Sequence, residues 1–147
     1  MGHSLASVHA HFIFSTKNRL PYLKDELQAD MFAYLGGILR EEGGKAVMVG
    51  GMPDHVHMLV RMPTGASISD LMRVVKANSS RWAKARRRDF AWQTGFAAFS
   101  VSMSVLPEVT RYIREQEKHH RKMTFQQELV ALLKKHNIPY DERYIWS

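Results

Sequence analysis

His55 and His57 sit one residue apart inside the apolar run Met52-Pro53-Asp54-His55-Val56-His57-Met58-Leu59-Val60. An imidazole placed where Val, Leu or Met would fit costs free energy unless a partner compensates it. Side chains at i and i+2 of a strand leave on the same face, so both rings project together. Two neutral imidazoles side by side suit a divalent cation; a hydrogen-bonded histidine pair at a sheet edge is the simpler alternative. A two-histidine site needs a further ligand and a group that reacts. Residues 105–120, read as a helix, offer both. Val105, Val109 and Ile113 make its apolar stripe, and Tyr112, Gln116 and His120 fall on that side. Tyr112 and Gln116 are i, i+4 neighbours. An unpaired buried amide costs about 1–3 kcal/mol, so a Gln in such a stripe requires a partner. Its carbonyl oxygen can complete a hard-cation site, leaving the phenol one turn away as a nucleophile.

Charge points to a polyanion. The chain has 147 residues and a formal net charge of +7. Arg73, Lys76, Arg81, Lys84, Arg86, Arg87 and Arg88 lie together with no Asp or Glu among them, and they account for the whole excess. A localised basic block favours nucleic acid over general solubility, although a solvated helix face has the same composition. The chain has no cysteine, which excludes disulfides and thiolate metal sites. It has no apolar run approaching the ~18 residues of a membrane span. The first ten residues lack the basic-then-apolar order of a secretion signal. These features suit a cytoplasmic protein, and the length suits one domain over 1–147.

The elements that must position these groups follow from periodicity. Residues 8–14 alternate and are rich in β-formers, predicting a strand. Leu27, Met31, Leu35, Ile38 and Leu39 predict a helix over 24–42, stopped by Gly43-Gly44, with Gly36-Gly37 inside it suggesting close backbone packing. Residues 46–50 and 55–62 predict a hairpin around Gly51-Met52-Pro53-Asp54. Ser67 or Ser69 can cap a second helix running to Arg88, and 90–103 reads as β-like. Ser104 can cap the helix carrying Tyr112, and a fourth helix is expected over 124–136. The order β-α-β-β-α-β, followed by helices, predicts an α+β, ferredoxin-like split βαβ domain with a central antiparallel sheet and a separate C-terminal catalytic helix. That fold hosts many functions.

The motifs themselves carry a resemblance. "MPDHVHMLV" resembles the histidine–hydrophobic–histidine motif of the HUH nucleases, and "RYIREQEKHH" resembles the catalytic helix of their single-tyrosine transposase branch. "HFIFSTKNRLPYL" and "WQTGFAAFSVS" are similar to that branch as well, in the same order along nearly the whole chain. These are the TnpA-type transposases of minimal bacterial insertion sequences, which move as single-stranded DNA. The resemblance implies a metal pair in His55 and His57, a nucleophile in Tyr112 and a further ligand in Gln116, holding Mg²⁺ or Mn²⁺. It implies a 5′-phosphotyrosine intermediate with no nucleotide cofactor, a hairpin-forming DNA end as substrate, and a homodimer whose composite sites pair His55 and His57 of one chain with Tyr112 and Gln116 of the other. A related branch acting on repetitive extragenic palindromes reads Tyr-Ile-His-x-Asn-Pro after the nucleophile. The "YIREQ" of this chain places it with the mobile-element branch.

On this reading the basic block 73–88 tracks the phosphate backbone, and Trp82, Trp92, Phe96 and Phe99 either stack on bases or fill the core. The roles of His119 and His120 stay open. A non-catalytic ferredoxin-like module for single-stranded RNA or DNA would explain the charge but neither the His-x-His nor Gln116. A zinc hydrolase is disfavoured, because no third His, Asp or Glu stands at ligand spacing from the pair.

Overall fold

The computed structural model describes residues 4–146. Four strands, β1 (His9–Ser15), β2 (Lys45–Met52), β3 (His55–Arg61) and β4 (Ala97–Val101), form one antiparallel sheet in the order β2-β3-β1-β4. Helices α1 (Asp25–Glu41) and α2 (Ile68–Lys84) connect them in the split βαβ pattern, making an α+β, ferredoxin-like domain. Period-2 alternation divides the sheet. Phe12, Phe14, Val56, Met58 and Val60 pack with α1 and α2 residues such as Met31, Leu35 and Val75 into the main core. His11, His55 and His57 belong to the opposite face.

That second face is covered by α3 (Leu106–Arg114), α4 (Gln116–His120) and α5 (Phe125–Lys135). Ile13 and Phe99 of the sheet meet Phe125, Leu129 and Leu133 of α5 in a smaller apolar cluster. Thr124 caps α5 through a full capping box with Gln127, which fixes its first turn.

Several details differ from the sequence-based expectations. The hairpin turn is only Pro53-Asp54, because Gly50, Gly51 and Met52 continue β2 and pair with His57, Val56 and His55. Neighbouring chain pins that turn: Leu23 N–H donates to the Pro53 carbonyl at 2.9 Å and Thr16 N–H to that of Asp54 at 2.9 Å. The β-like stretch contributes only five strand residues. Ser67, not Ser69, caps α2, accepting from Asp70 N–H, and the helix stops at Lys84. The helix expected over 105–120 breaks at Glu115 (φ −97°, ψ 29°). Val105 stands at its N-cap position, while Ser104 lies in the turn before it.

The tight glycines are not those expected. A Cβ on Gly36 would meet only the Ala46 Cβ at 3.8 Å, an ordinary contact. On Gly50 it would lie 2.6 Å from the Ile113 carbonyl oxygen, so the bare backbone of β2 is what lets α3 sit down on the sheet. Gly50→Ala must therefore push α3 outward. It is expected to cost roughly 1–3 kcal/mol in thermal unfolding, as overpacking does. With Tyr112 as the nucleophile that the resemblance implies, a shift of about 1 Å there should also slow cleavage by around 10²-fold. A variant with unchanged melting and activity would show that α3 is not seated on Gly50.

Candidate active site

His55 and His57 are fully buried on central strand β3, not at a sheet edge. Each ring is oriented by a partner on Nδ1. His55 Nδ1 lies 2.8 Å from Asp54 Oδ1, an acceptor supplied by the hairpin turn. His57 Nδ1 lies 2.8 Å from His11 Nε2 on the adjacent strand. His120, near the end of α4, places Nδ1 2.9 Å from the Met123 carbonyl oxygen. With Nδ1–H donating in each case, all three rings present the Nε2 lone pair to a common point.

Glu128 of α5 stands at that point. It is 1 % exposed. Its Oε1 lies 3.0 Å from His57 Nε2, 3.2 Å from His120 Nε2 and 3.4 Å from His55 Nε2. Its Oε2 accepts from Gln116 Nε2 at 3.1 Å and from the Tyr112 hydroxyl. The buried Gln116 turns its carbonyl oxygen to His55 Nε2 at 3.1 Å and His120 Nε2 at 3.0 Å. Tyr112 and Gln116 thus reach the histidine pair of their own chain. Ligand atoms of His55, His57, His120 and Glu128 all lie within 4.8 Å of one another, a group that could hold a metal ion.

The electrostatics fit a cation there. Lone pairs and a carboxylate oxygen converge on one point only if positive charge lies among them. In the metal-free chain a proton supplies it. Burial works against an imidazolium at His55, but hydrogen bonds to Asp54 and Glu128 outweigh it and raise the pKa to about 9. Burial pushes His57 down, and it lowers His11 to about 3 with help from the neighbouring His57. Burial also opposes ionisation of Glu128, yet its hydrogen bonds to His120, His55 and His57 hold it well below the usual carboxylate range. Burial and the charge of Glu128 raise the Tyr112 phenol above its ordinary value. The phenol therefore stays protonated, with Glu128 holding its hydrogen.

One expectation is corrected here. A third and a fourth metal-ligating side chain do accompany the pair, His120 and Glu128, brought in by the chain's C-terminal helices. Within this single chain the turn 102–105 leads α3 back over its own sheet; the composite site expected of a dimer would place α3 on the partner's sheet instead.

Sequence reasoning missed Glu128, His11 and Asp54. A signal existed for the first, since Glu128 lies three residues after Phe125 and one before Leu129, inside the apolar stripe of α5. His119 stacks on Tyr112 with ring centroids 4.5 Å apart.

The basic block lies elsewhere. It belongs to α2 and the turn after it, while α2 packs on the face of the sheet opposite the histidines. Lys76 Nζ is committed to the carbonyls of Gln93, Thr94 and Gly95, and Lys84 Nζ to that of Phe90. Arg86 lies 4.0 Å over the Trp82 ring and Arg87 4.7 Å over Tyr22. Arg73, Arg81 and Arg88 are exposed. Of the aromatic candidates, Trp92 and Phe99 are core residues and Phe96 packs against the core, while Trp82 is half-buried and stacked on Tyr34. The cations beside the site are instead Arg19, Arg121 and Lys122, lining a cleft of about 630 Å³ that includes Asp54 and His120. No helix among the described residues is long and apolar enough to cross a membrane.

Known proteins share this fold. The chain is 24 % identical over 114 residues to the ISDra2 transposase TnpA of Deinococcus radiodurans, covering 72 % of this chain and 81 % of that one. A solved structure of a candidate transposase from Deinococcus radiodurans superposes with TM-score 0.65 at 24 % identity, over 79 % of this chain and 96 % of the other. A REP-associated tyrosine transposase, solved bound to a REP hairpin, gives TM-score 0.62 at 17 % identity over 82 % and 72 % of the two chains. Residues 4–116 match the family described as "Transposase IS200 like". With its histidine pair, tyrosine and glutamine gathered on one face of the sheet, this chain belongs to the IS200-like transposase family.

Proposed function

We propose that the protein cleaves and rejoins single-stranded DNA at the ends of an insertion sequence, with Tyr112 as nucleophile and a divalent cation, Mg²⁺ or Mn²⁺, held by His55, His57 and Gln116. The observation that carries this reading is the placement of the Tyr112 hydroxyl and the buried histidine pair on the two oxygens of one carboxylate. When bound, the cation polarises the scissile phosphate and offsets charge developing on it. The Tyr112 oxygen attacks phosphorus while Glu128 Oε2 takes the phenolic proton. The bond from phosphorus to the 3′ oxygen breaks, and that oxygen leaves as a free 3′-OH after protonation by solvent. One phosphodiester replaces another, so no nucleotide cofactor is needed, and a second strand's 3′-OH reverses the step. Asp54 and His11 keep the two rings in place throughout. The test is a labelled single strand carrying a hairpin-forming element end, incubated with Mg²⁺ or Mn²⁺ and run on a denaturing gel. Protein-linked DNA supports the reading, whereas binding without an adduct would favour the non-catalytic nucleic-acid module.

The basic helix is proposed to hold single-stranded DNA on the face of the sheet opposite the chemistry. If four or five of its charges contact a single strand, log Kd should change with log salt with a slope of about 3 in magnitude, from roughly 0.7 per contact. Arg81→Gln with Arg88→Gln should flatten the slope and weaken every sequence alike. Lys76→Ala should instead lower the melting temperature, because its ammonium organises the carbonyls of 93–95. An unchanged slope in the double variant would return the block to a solvated surface.

Two DNA ends must be handled together, which suits a two-fold dimer. We propose that each subunit carries its own site, since Gln116 reaches His55, and Tyr112 reaches Glu128, within one chain. Mixing Tyr112→Phe with His57→Ala under subunit exchange is expected to give no cleavage, since every site keeps one lesion. Cleavage restored by the mixture would show that α3 changes partners.

A further inference from the structure

The reading above uses the histidine pair and Gln116 as ligands and leaves two donors beside them, both beyond residue 116, where the family match ends. We propose that Glu128 is itself a ligand of the cation, and that with His120 it gives the site three imidazole nitrogens, a carboxylate and an amide oxygen, a set suited to Mn²⁺ over Mg²⁺. This rests on the metal dependence proposed above and goes beyond it in naming the donors and the metal class.

Burial excludes a mere surface ion pair, for Glu128 is 1 % exposed. A carboxylate in such a place needs compensating charge. Its surroundings supply three imidazoles, each turned so that Nδ1 is engaged outward and Nε2 faces inward. A structural carboxylate would be served by N–H donors fixed toward it. Here the outward partners of His55 and His120 are oxygens, Asp54 Oδ1 and the Met123 carbonyl, which must accept the Nδ1 hydrogen. Those rings can then donate to Glu128 only as imidazolium, whereas a divalent cation satisfies all of the inward lone pairs together. Gln116 repeats the pattern, its amide oxygen turned toward His55 and His120 and its nitrogen toward Glu128. Mg²⁺ favours oxygen ligands and retained waters, while imidazole-rich sites favour later divalent metals. The second oxygen of Glu128, already engaged by the Tyr112 hydroxyl, ties nucleophile and ion to the same side chain.

The experiment is Mn²⁺ binding to the chelator-stripped full chain, followed by the electron paramagnetic resonance signal of free Mn²⁺ and by thermal melting, with Mg²⁺ as competitor. The native chain should bind one Mn²⁺ and require more than tenfold excess Mg²⁺ to lose it. Glu128→Gln keeps the shape and a hydrogen-bonding oxygen, and should weaken Mn²⁺ by at least the roughly 10–100-fold that loss of even an outer-shell partner costs. His120→Asn should weaken it similarly and reduce the ¹⁴N modulation of the bound ion. Should Glu128→Gln fail to fold by circular dichroism, Glu128→Asp, which withdraws the carboxylate, carries the same comparison. Native affinity in the Glu128 variants would overturn this assignment while leaving a metal at His55, His57 and Gln116 standing. No Mn²⁺ or Mg²⁺ binding by the native chain would overturn both.

Discussion

Tyr112→Phe is expected to abolish the covalent protein–DNA adduct, a loss of ~10⁴-fold or more, as for removal of other enzymatic nucleophiles. Hairpin binding should persist, because no proposed DNA contact is touched. The ring stays in place against His119 and the sheet histidines, so the fold should survive. The cost is one hydrogen bond to a charged acceptor, about 1.5–3 kcal/mol, and Glu128 keeps its other partners. The two tyrosines after α5 provide the control. Tyr144 is 68 % exposed and Tyr140 packs on the minor core. An adduct that persists in Tyr112→Phe and maps to either of them would defeat the assignment.

His57→Ala is expected to eliminate cleavage and to destabilise the chain as well. A histidine pair on an open strand surface could be removed with little effect on melting. These rings are fully buried, and His57 braces both His11 and Glu128. Its loss leaves a cavity and a less compensated carboxylate, a cost of roughly 2–5 kcal/mol. Two measurements separate the effects. Melting of the metal-free protein reports the packing loss, while the melting shift on adding Mn²⁺ should be present in the native chain and absent in the variant. Cleavage undiminished in excess EDTA would remove the metal from the reading altogether.

How much of this was legible follows from how local each signal was. The strand carrying His55 and His57 and the helix carrying Tyr112 announced themselves by polar residues placed where periodicity demanded apolar ones. The βαββαβ order gave the sheet and its topology. The carboxylate was harder, for Glu128 interrupts the apolar stripe of α5 only once and sits among ordinary helix formers. That rule, applied at Gln116, identifies it equally well. His11 and Asp54 were invisible for another reason. Their meaning lies in strand register, and only the pairing of β1 with β3 brings His11 beside His57. The basic block shows the opposite failure. Its composition was plain, but nothing in a linear charge run says which face of the sheet its helix will cover, or that two of its lysines serve loop carbonyls.

The division of the sheet into an apolar face and a histidine face has a consequence for how such proteins diversify. The main core with α1 and α2 lies on one face, and the layer of α3, α4 and α5 that carries the proposed chemistry lies on the other, with a single thickness of backbone between them. Changes in the covering helices that retune metal or substrate need not be repaired in the core. A different set of C-terminal helices on the same sheet would therefore change the proposed ligands, which lie partly beyond the matched residues 4–116, without disturbing the main core.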